Sequence, residues 1–211
     1  LHGDLGTYGV GTGYRVSDVI AQALPLTLQL TFLGLIIAVL ISFPLGVIAA
    51  LYRDRWPDQL IRVISVVSIG TPSFWLAALL VLQFVGTSIP VSGDVPAFSD
   101  DPSSWFLRMI LPAIALAVPV IGQMTRVVRT SMVEELDRDY VRTAIGAGIP
   151  KTVVVARNVL RNALITPVTV LGLRIGYLMG GAVVIEIIFA IDGMGKIVLL
   201  KGIQDNSVAL V

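Results

Sequence analysis

The charges of this 211-residue chain are confined to a few short windows, and that confinement restricts its fold more than any motif does. No Asp, Glu, Lys or Arg occurs from Val19 to Tyr52, from Val63 to Gly93 or from Met109 to Thr125. Asn162 to Ile191 is interrupted only by Arg174 and Glu186. A helix that crosses a bilayer needs about 20 mainly apolar residues. The pattern therefore predicts an all-α, polytopic integral membrane protein with four spans, near 26–51, 63–85, 106–128 and 164–190. Composition agrees: 14% of the residues are charged, against about 25% in a soluble domain.

Loops rich in Lys and Arg stay in the cytoplasm. Arg53, Arg55 and Arg62 lie between the first two spans, and Arg126, Arg129, Arg138, Arg142, Lys151, Arg157 and Arg161 between the last two. The loop 86–106 has no basic residue but carries Asp94, Asp100 and Asp101. This alternation places 53–62 and 126–161 inside, and the N-terminal segment, 86–106 and 192–211 outside. Residues 1–24 then read as an external segment with a short interfacial helix, N-capped by Ser17 and ending before Pro25. Residues 25–211 read as the membrane domain. A proline in every span (Pro44, Pro72, Pro112, Pro119, Pro167) predicts bent helices packed on one another.

Gly172, Gly176 and Gly180 recur every four residues in the fourth span, which predicts a bare helix face for close packing. Arg174 is expected near mid-membrane, either lining a translocation path or paired with another chain. Glu186 lies about 18 Å further along the helix, where it is expected to reach water near the outer surface or to join Arg174 along the path.

The segment 134–162 is polar enough to leave the membrane, yet it has helical grammar. Asp137 or Asp139 can cap a short helix running through Ala147, Gly148 stands where a C-terminal glycine belongs, and Pro150 follows. A second amphipathic stretch runs from Lys151 to Ala163, with Arg157 and Arg161 on one face. Spacing alone leaves an ordinary solvated loop and a docking helix equally open.

The run Asp139-Tyr140-Val141-Arg142-Thr143-Ala144-Ile145-Gly146-Ala147-Gly148, followed by Arg157-Asn158-Val159-Leu160-Arg161-Asn162-Ala163-Leu164, resembles the cytoplasmic signature of binding-protein-dependent ABC importer permeases. It is most similar to their dipeptide/oligopeptide (and nickel) branch. Gly3-Asp4-Leu5-Gly6, Thr71-Pro72-Ser73-Phe74-Trp75, Gly180-Gly181-Ala182-Val183-Val184-Ile185-Glu186 and Gly193-Met194-Gly195 match in order along nearly the whole chain. The broad superfamily begins its motif with Glu-Ala-Ala where this chain has Arg142-Thr143-Ala144. The resemblance implies a coupling helix around Tyr140, Val141, Arg142, Thr143, Ala144, Gly146 and Gly148, with Arg157 and Arg161, that docks on an ATPase subunit. It further implies a homologous second permease subunit, two ATPase subunits carrying ATP and Mg, and an extracytoplasmic substrate-binding protein that meets the outer loops 86–106 and 191–206. The setting would be the cytoplasmic (inner) membrane, and the substrate di- or oligopeptides, or else nickel or another small solute. The first and last of the family's six spans are expected to lie before Leu1 and after Val211.

Enzymatic chemistry has little to stand on. The chain has no cysteine and a single histidine, His2. Gly193-Met194-Gly195-Lys196 is not a phosphate loop, because Ala190 and Ile197 occupy its required positions. Gly9, Gly11 and Gly13 fail the dinucleotide pattern at Tyr14. No cofactor, metal or nucleic acid is expected on this chain, so the energy source is another subunit. The competing class is an ion-coupled secondary transporter, but no internal repeat supports it.

Overall fold

The computed structural model describes residues 7–8 and 14–200. His2, the 3–6 and 9–13 matches and everything beyond residue 200 lie outside the described residues. A two-residue antiparallel pair, β1 (Thr7–Tyr8) with β2 (Tyr14–Arg15), opens the described chain. Helices follow: α1 (Val16–Leu51), α2 (Trp56–Gly70), α3 (Ser73–Phe84), α4 (Pro102–Leu136), α5 (Asp139–Gly146), α6 (Lys151–Val154), a π-helical turn (Val155–Val159), α7 (Leu160–Ala163), α8 (Ile165–Phe189) and a second π-helical segment (Gly195–Leu200). Helices α1, α4 and α8 are each long and apolar enough to cross a membrane, and α2 and α3 meet that test only when taken together across a sharp bend.

Two expectations are corrected here. There is no separate interfacial helix: α1 is continuous from Val16 through Pro25 and Pro44 to Leu51. Ser17 is inside it, its hydroxyl on Asp18 rather than on a backbone amide. Two helices stand where one second span was expected, because Gly70, a poor helix former, adjoins Thr71, which the following Pro72 disfavours from helical geometry. Thr71 is accordingly extended, at φ −87° and ψ 111°. Among the described residues of this chain, a Cβ at Gly172, Gly176 or Gly180 would meet nothing within 4 Å. The close approaches are made by other glycines.

The described residues form two compact units, drawn from Leu1–Leu35, Ser73–Ala117 and Gly176–Val211 in the first, and from Ile36–Pro72 and Val118–Ile175 in the second. In the first unit Leu116 packs against both Gly34 and Gly181; a Cβ on these glycines would lie 3.4 and 3.1 Å from it. The Trp105 indole donates to Gln29 at 2.7 Å. Asp101 caps α4, accepting from the backbone amides of Ser103 and Ser104 at 3.1 Å each. Hydrogen bonds from Ser104 and Ser103 hold its carboxyl at about 2. The cap is therefore complete above the ordinary 3.8 and is lost as pH falls toward that lower value.

In the second unit α4 is gripped from two sides. A Cβ on Gly46 would stand 2.6 Å from that of Val128, and one on Gly122 2.6 Å from the Ser65 carbonyl oxygen. Asp58, in the first turn of α2, has a fully buried side chain. It accepts two hydrogen bonds from Arg129 of α4, at 2.6 and 2.7 Å, two from Arg62, and one from the Asp54 amide. Gly122→Val is expected to abolish recovery of folded protein in detergent, because a backbone carbonyl cannot yield. Gly172→Ala, pointing into open space within the chain, should instead raise its stability by about 0.5–1 kcal/mol through helix propensity. Thermal unfolding of the isolated chain checks both.

Candidate functional site

Helix α5 has eight residues, too few to stand alone. Its shape is imposed by what it packs on. Val141 is buried in a core with Ala50, Val128, Met132, Val154, Val159 and Ala163, and Tyr140 and Ala144 pack against the same cluster. The Tyr140 hydroxyl donates to Glu135 at 2.8 Å, and the Asn162 amide donates to the same oxygen at 3.3 Å. Burial first, and then the Glu135 carboxylate, push the tyrosine hydroxyl above its ordinary value and keep it a neutral donor. A surface pair, Arg53 with Asp137 at 2.9 Å, ties the turn before α5 to the end of α1.

The helix end is fixed by backbone geometry. Gly148 has φ +84°. Its amide donates to the Ile145 carbonyl at 3.0 Å, and the Ile149 amide reaches the Ala144 carbonyl at 3.1 Å. This is a Schellman closure, which needs a left-handed residue at the position of Gly148. The N-terminus differs from expectation: Arg138, in extended geometry, precedes the helix and no side chain caps it. Asp139 lies in the first turn, where it favours the positive end of the helix dipole, and Asp137 is engaged with Arg53.

With one side anchored, α5 leaves Arg142, Thr143, Ile145, Gly146 and Ala147 exposed, and Ile149 continues that surface. The Thr143 hydroxyl donates back to Asp139's carbonyl, and no nucleophile stands beside a base. This is a surface for contact rather than bond making. A cavity of about 280 Å³ lies beside it, lined in part by Arg53, Val141, Arg142 and Ile145. Arg157 and Arg161 do not share it. They line a different cleft, of about 620 Å³, with Asn158, Asn162 and Ile165. The sequence-predicted coupling residues are thus divided between two surfaces.

Arg174 is half-buried in α8. Glu186 does not reach water: it is fully buried in the other unit. Its carboxyl accepts from the Thr27 hydroxyl at 2.5 Å and from the Gly195 amide at 2.7 Å, while Thr27 Oγ1 accepts from the Met194 amide at 2.9 Å. Any side chain at Gly193 would fall on the Glu186 carboxylate, and a Cβ at Gly195 would stand 2.6 Å from Val183 Cα. The Gly-Met-Gly spacing therefore lets backbone lie on α8. Helix α8 itself closes through Ala190 at φ +57°, with the Ile191 amide on the Glu186 carbonyl at 2.9 Å.

Sequence reasoning assigned no role to Asp58, Glu135, Asn162 or Thr27, although Asn162 stands in the signature run. Asp58 stands four residues before Arg62 just after a Trp-Pro helix start, which signals a helix-start acid. Glu135 and Thr27 carry no local signal, since their partners are remote. Glu186→Ala orphans the Gly195 amide and the Thr27 hydroxyl, a loss of about 1–3 kcal/mol. Hydrogen exchange at the Met194 and Gly195 amides is expected to quicken strongly, and less so in Glu186→Gln, which keeps one acceptor oxygen.

Residues 42–207 match the family described as the binding-protein-dependent transport system inner membrane component. A probable D,D-dipeptide transport system permease protein of Escherichia coli (strain K12) is 38% identical over 217 residues, covering 92% of this chain and 64% of that protein. A putative peptide transport system permease protein of Brucella suis biovar 1 is 40% identical over 186 residues, 87% of this chain and 59% of the relative. A glutathione transport system permease protein of Salmonella typhimurium is 39% identical over 199 residues, 94% and 62%. The chain thus spans about 60% of the length of these curated relatives. A crystal structure of an amino acid ABC transporter with histidines superposes with a TM-score of 0.64 at 17% identity, over 88% of this chain and 78% of the other, a likeness of fold.

Proposed function

The chain belongs to the family of binding-protein-dependent transport system inner membrane components, and from that premise we propose that it forms half of the path by which an ABC importer carries short peptides across the inner membrane. The observation that carries the reading is α5: a short helix held rigidly on its inner side, closed by a left-handed glycine, with its outer side uncovered. Such an element suits docking of a soluble subunit. Peptides are the common substrate named for the curated relatives, D,D-dipeptides and glutathione included.

In this reading α5 receives an ATPase subunit through Arg142, Thr143, Ile145, Gly146 and Ile149. Tyr140, Val141 and Ala144 hold the helix in place from behind. ATP and Mg stay on the partner ATPases, a second permease completes the path, and an extracytoplasmic binding protein delivers the peptide. Arg174 and Glu186 remain candidates for the path wall. Glu186 would serve there by holding the 193–195 backbone, given its buried hydrogen bonds.

Reconstitution of the permease pair with ATPase subunits and binding protein tests the proposal. Peptide uptake is expected to require ATP and the ATPase subunits; uptake driven by an ion gradient alone defeats it. Gly148→Val forces a β-branched residue into left-handed geometry, at about 1–2 kcal/mol or more. In the assembled complex it is expected to cut peptide uptake at least tenfold while ATP hydrolysis persists. Undiminished uptake would remove α5 from the coupling role.

A further inference from the structure

Two charges on α4 have no place in the network just described. Arg126 and Glu134 are both exposed. Among the described residues neither makes a hydrogen bond or an ion pair, whereas Arg129 and Glu135 on the same helix are both engaged. Both line one cavity of about 490 Å³ in the second unit, a size within the usual range of about 300–1,000 Å³ for small-ligand sites. Arg126, Thr130 and Glu134 recur every four residues and share a face of α4, with Gln123, Val127 and Ser131 in the adjoining row. The rest of the wall comes from Ile69 of α2 and from Thr166 and Val170 of α8.

Resting on the transport reading above, we propose that this cavity is a subsite for the zwitterionic backbone of a short peptide, with Arg126 taking the α-carboxylate and Glu134 the α-ammonium group. Eight helical residues separate the two charges, about 12 Å along the axis. That is too far for direct pairing and leaves both groups for a ligand charged at both ends. An extended peptide advances about 3.3–3.6 Å per residue. The gap therefore matches about three or four residues, and the reach of the two side chains extends the range to dipeptides. Thr130, Ser131, Thr166 and Gln123 offer hydroxyl and amide groups to the peptide backbone, which is the same whatever the sequence. Ile69, Val127 and Val170 offer an apolar surface that tolerates varied side chains. The recognition is of termini and backbone, which suits a carrier of many short peptides. Opposite charges at the two ends of the cavity match a ligand charged at both ends.

The test uses the reconstituted permease pair with ATPase subunits and binding protein, and three peptides: trialanine, N-acetyl-trialanine and trialanine amide. Arg126→Gln and Glu134→Gln are each expected to raise the uptake KM for trialanine about tenfold, the scale of one charge-assisted hydrogen bond. Arg126→Gln should leave trialanine amide unaffected relative to wild type, and Glu134→Gln should leave N-acetyl-trialanine unaffected. Taking the variant-to-wild-type ratio for each peptide cancels any preference of the binding protein. A peptide that is not taken up is scored by equilibrium dialysis of its labelled form against the detergent-solubilised complex. Equal losses for all three peptides, or no loss, overturn the subsite. Loss of the assembled permease pair, restored by joint Arg126→Glu and Glu134→Arg exchange, assigns the face to the second permease and also overturns it. Failure of the wild type to take up trialanine under ATP counts against the transport reading instead.

Discussion

Asp58 is a carboxylate with no exposed surface, and three surrounding groups decide where the second unit's helices lie. Arg129 grips both of its oxygens from α4, Arg62 braces it from one turn along α2, and the Asp54 amide closes the remaining side. A buried carboxylate left alone is costly, and its removal would leave Arg129 in the same position. The pair therefore fixes one rotation of α4 about its own axis. That rotation turns Val128 toward Gly46 and Gly122 toward Ser65. One and two turns further on, it also sets where Met132 and Glu135 meet α5. Arg126 and Glu134 are left on the uncovered side of the same helix.

What was legible in the sequence follows from which properties are local. Exclusion of charge from a bilayer is a one-residue property, so the spans could be read directly. The Gly148 closure was legible because helix termination depends on a few adjacent residues. Proline was ambiguous. Pro25, Pro44, Pro112 and Pro119 lie inside unbroken helices, whereas Pro72 follows a break. The difference lies in the neighbours: Gly70 adds its own freedom and has nothing packed against it.

Spacing revealed faces but not partners. Gly172, Gly176 and Gly180 do share a face, yet among the described residues it is open, whereas the solitary Gly46 and Gly122 are tightly enclosed. Glu186 shows the same limit. Its expected exposure came from position along the helix, but its partner Thr27 lies 159 residues away. Arg157 and Arg161 do line one cleft, as their spacing predicts, but it is separate from the exposed face of α5.

The π turn between α6 and α7 gives the two flanks of α5 different backbones. On its entry side, α5 is bound to α4 by side chains that share one core, by Tyr140 on Glu135, and by a turn pinned through Asp137 to Arg53. On its exit side the chain returns toward α8 through Val155–Val159, where wider i to i+5 bonds replace the tighter α-helical ladder. Val154, Val159 and Ala163 on the exit side share the buried core of Val141, Val128 and Met132, so side-chain packing links α5 to both flanks. The hydrogen bond from Asn162 to Glu135 adds a polar bridge between the same two sides. At 3.3 Å it is a longer contact than the 2.8 Å one from Tyr140.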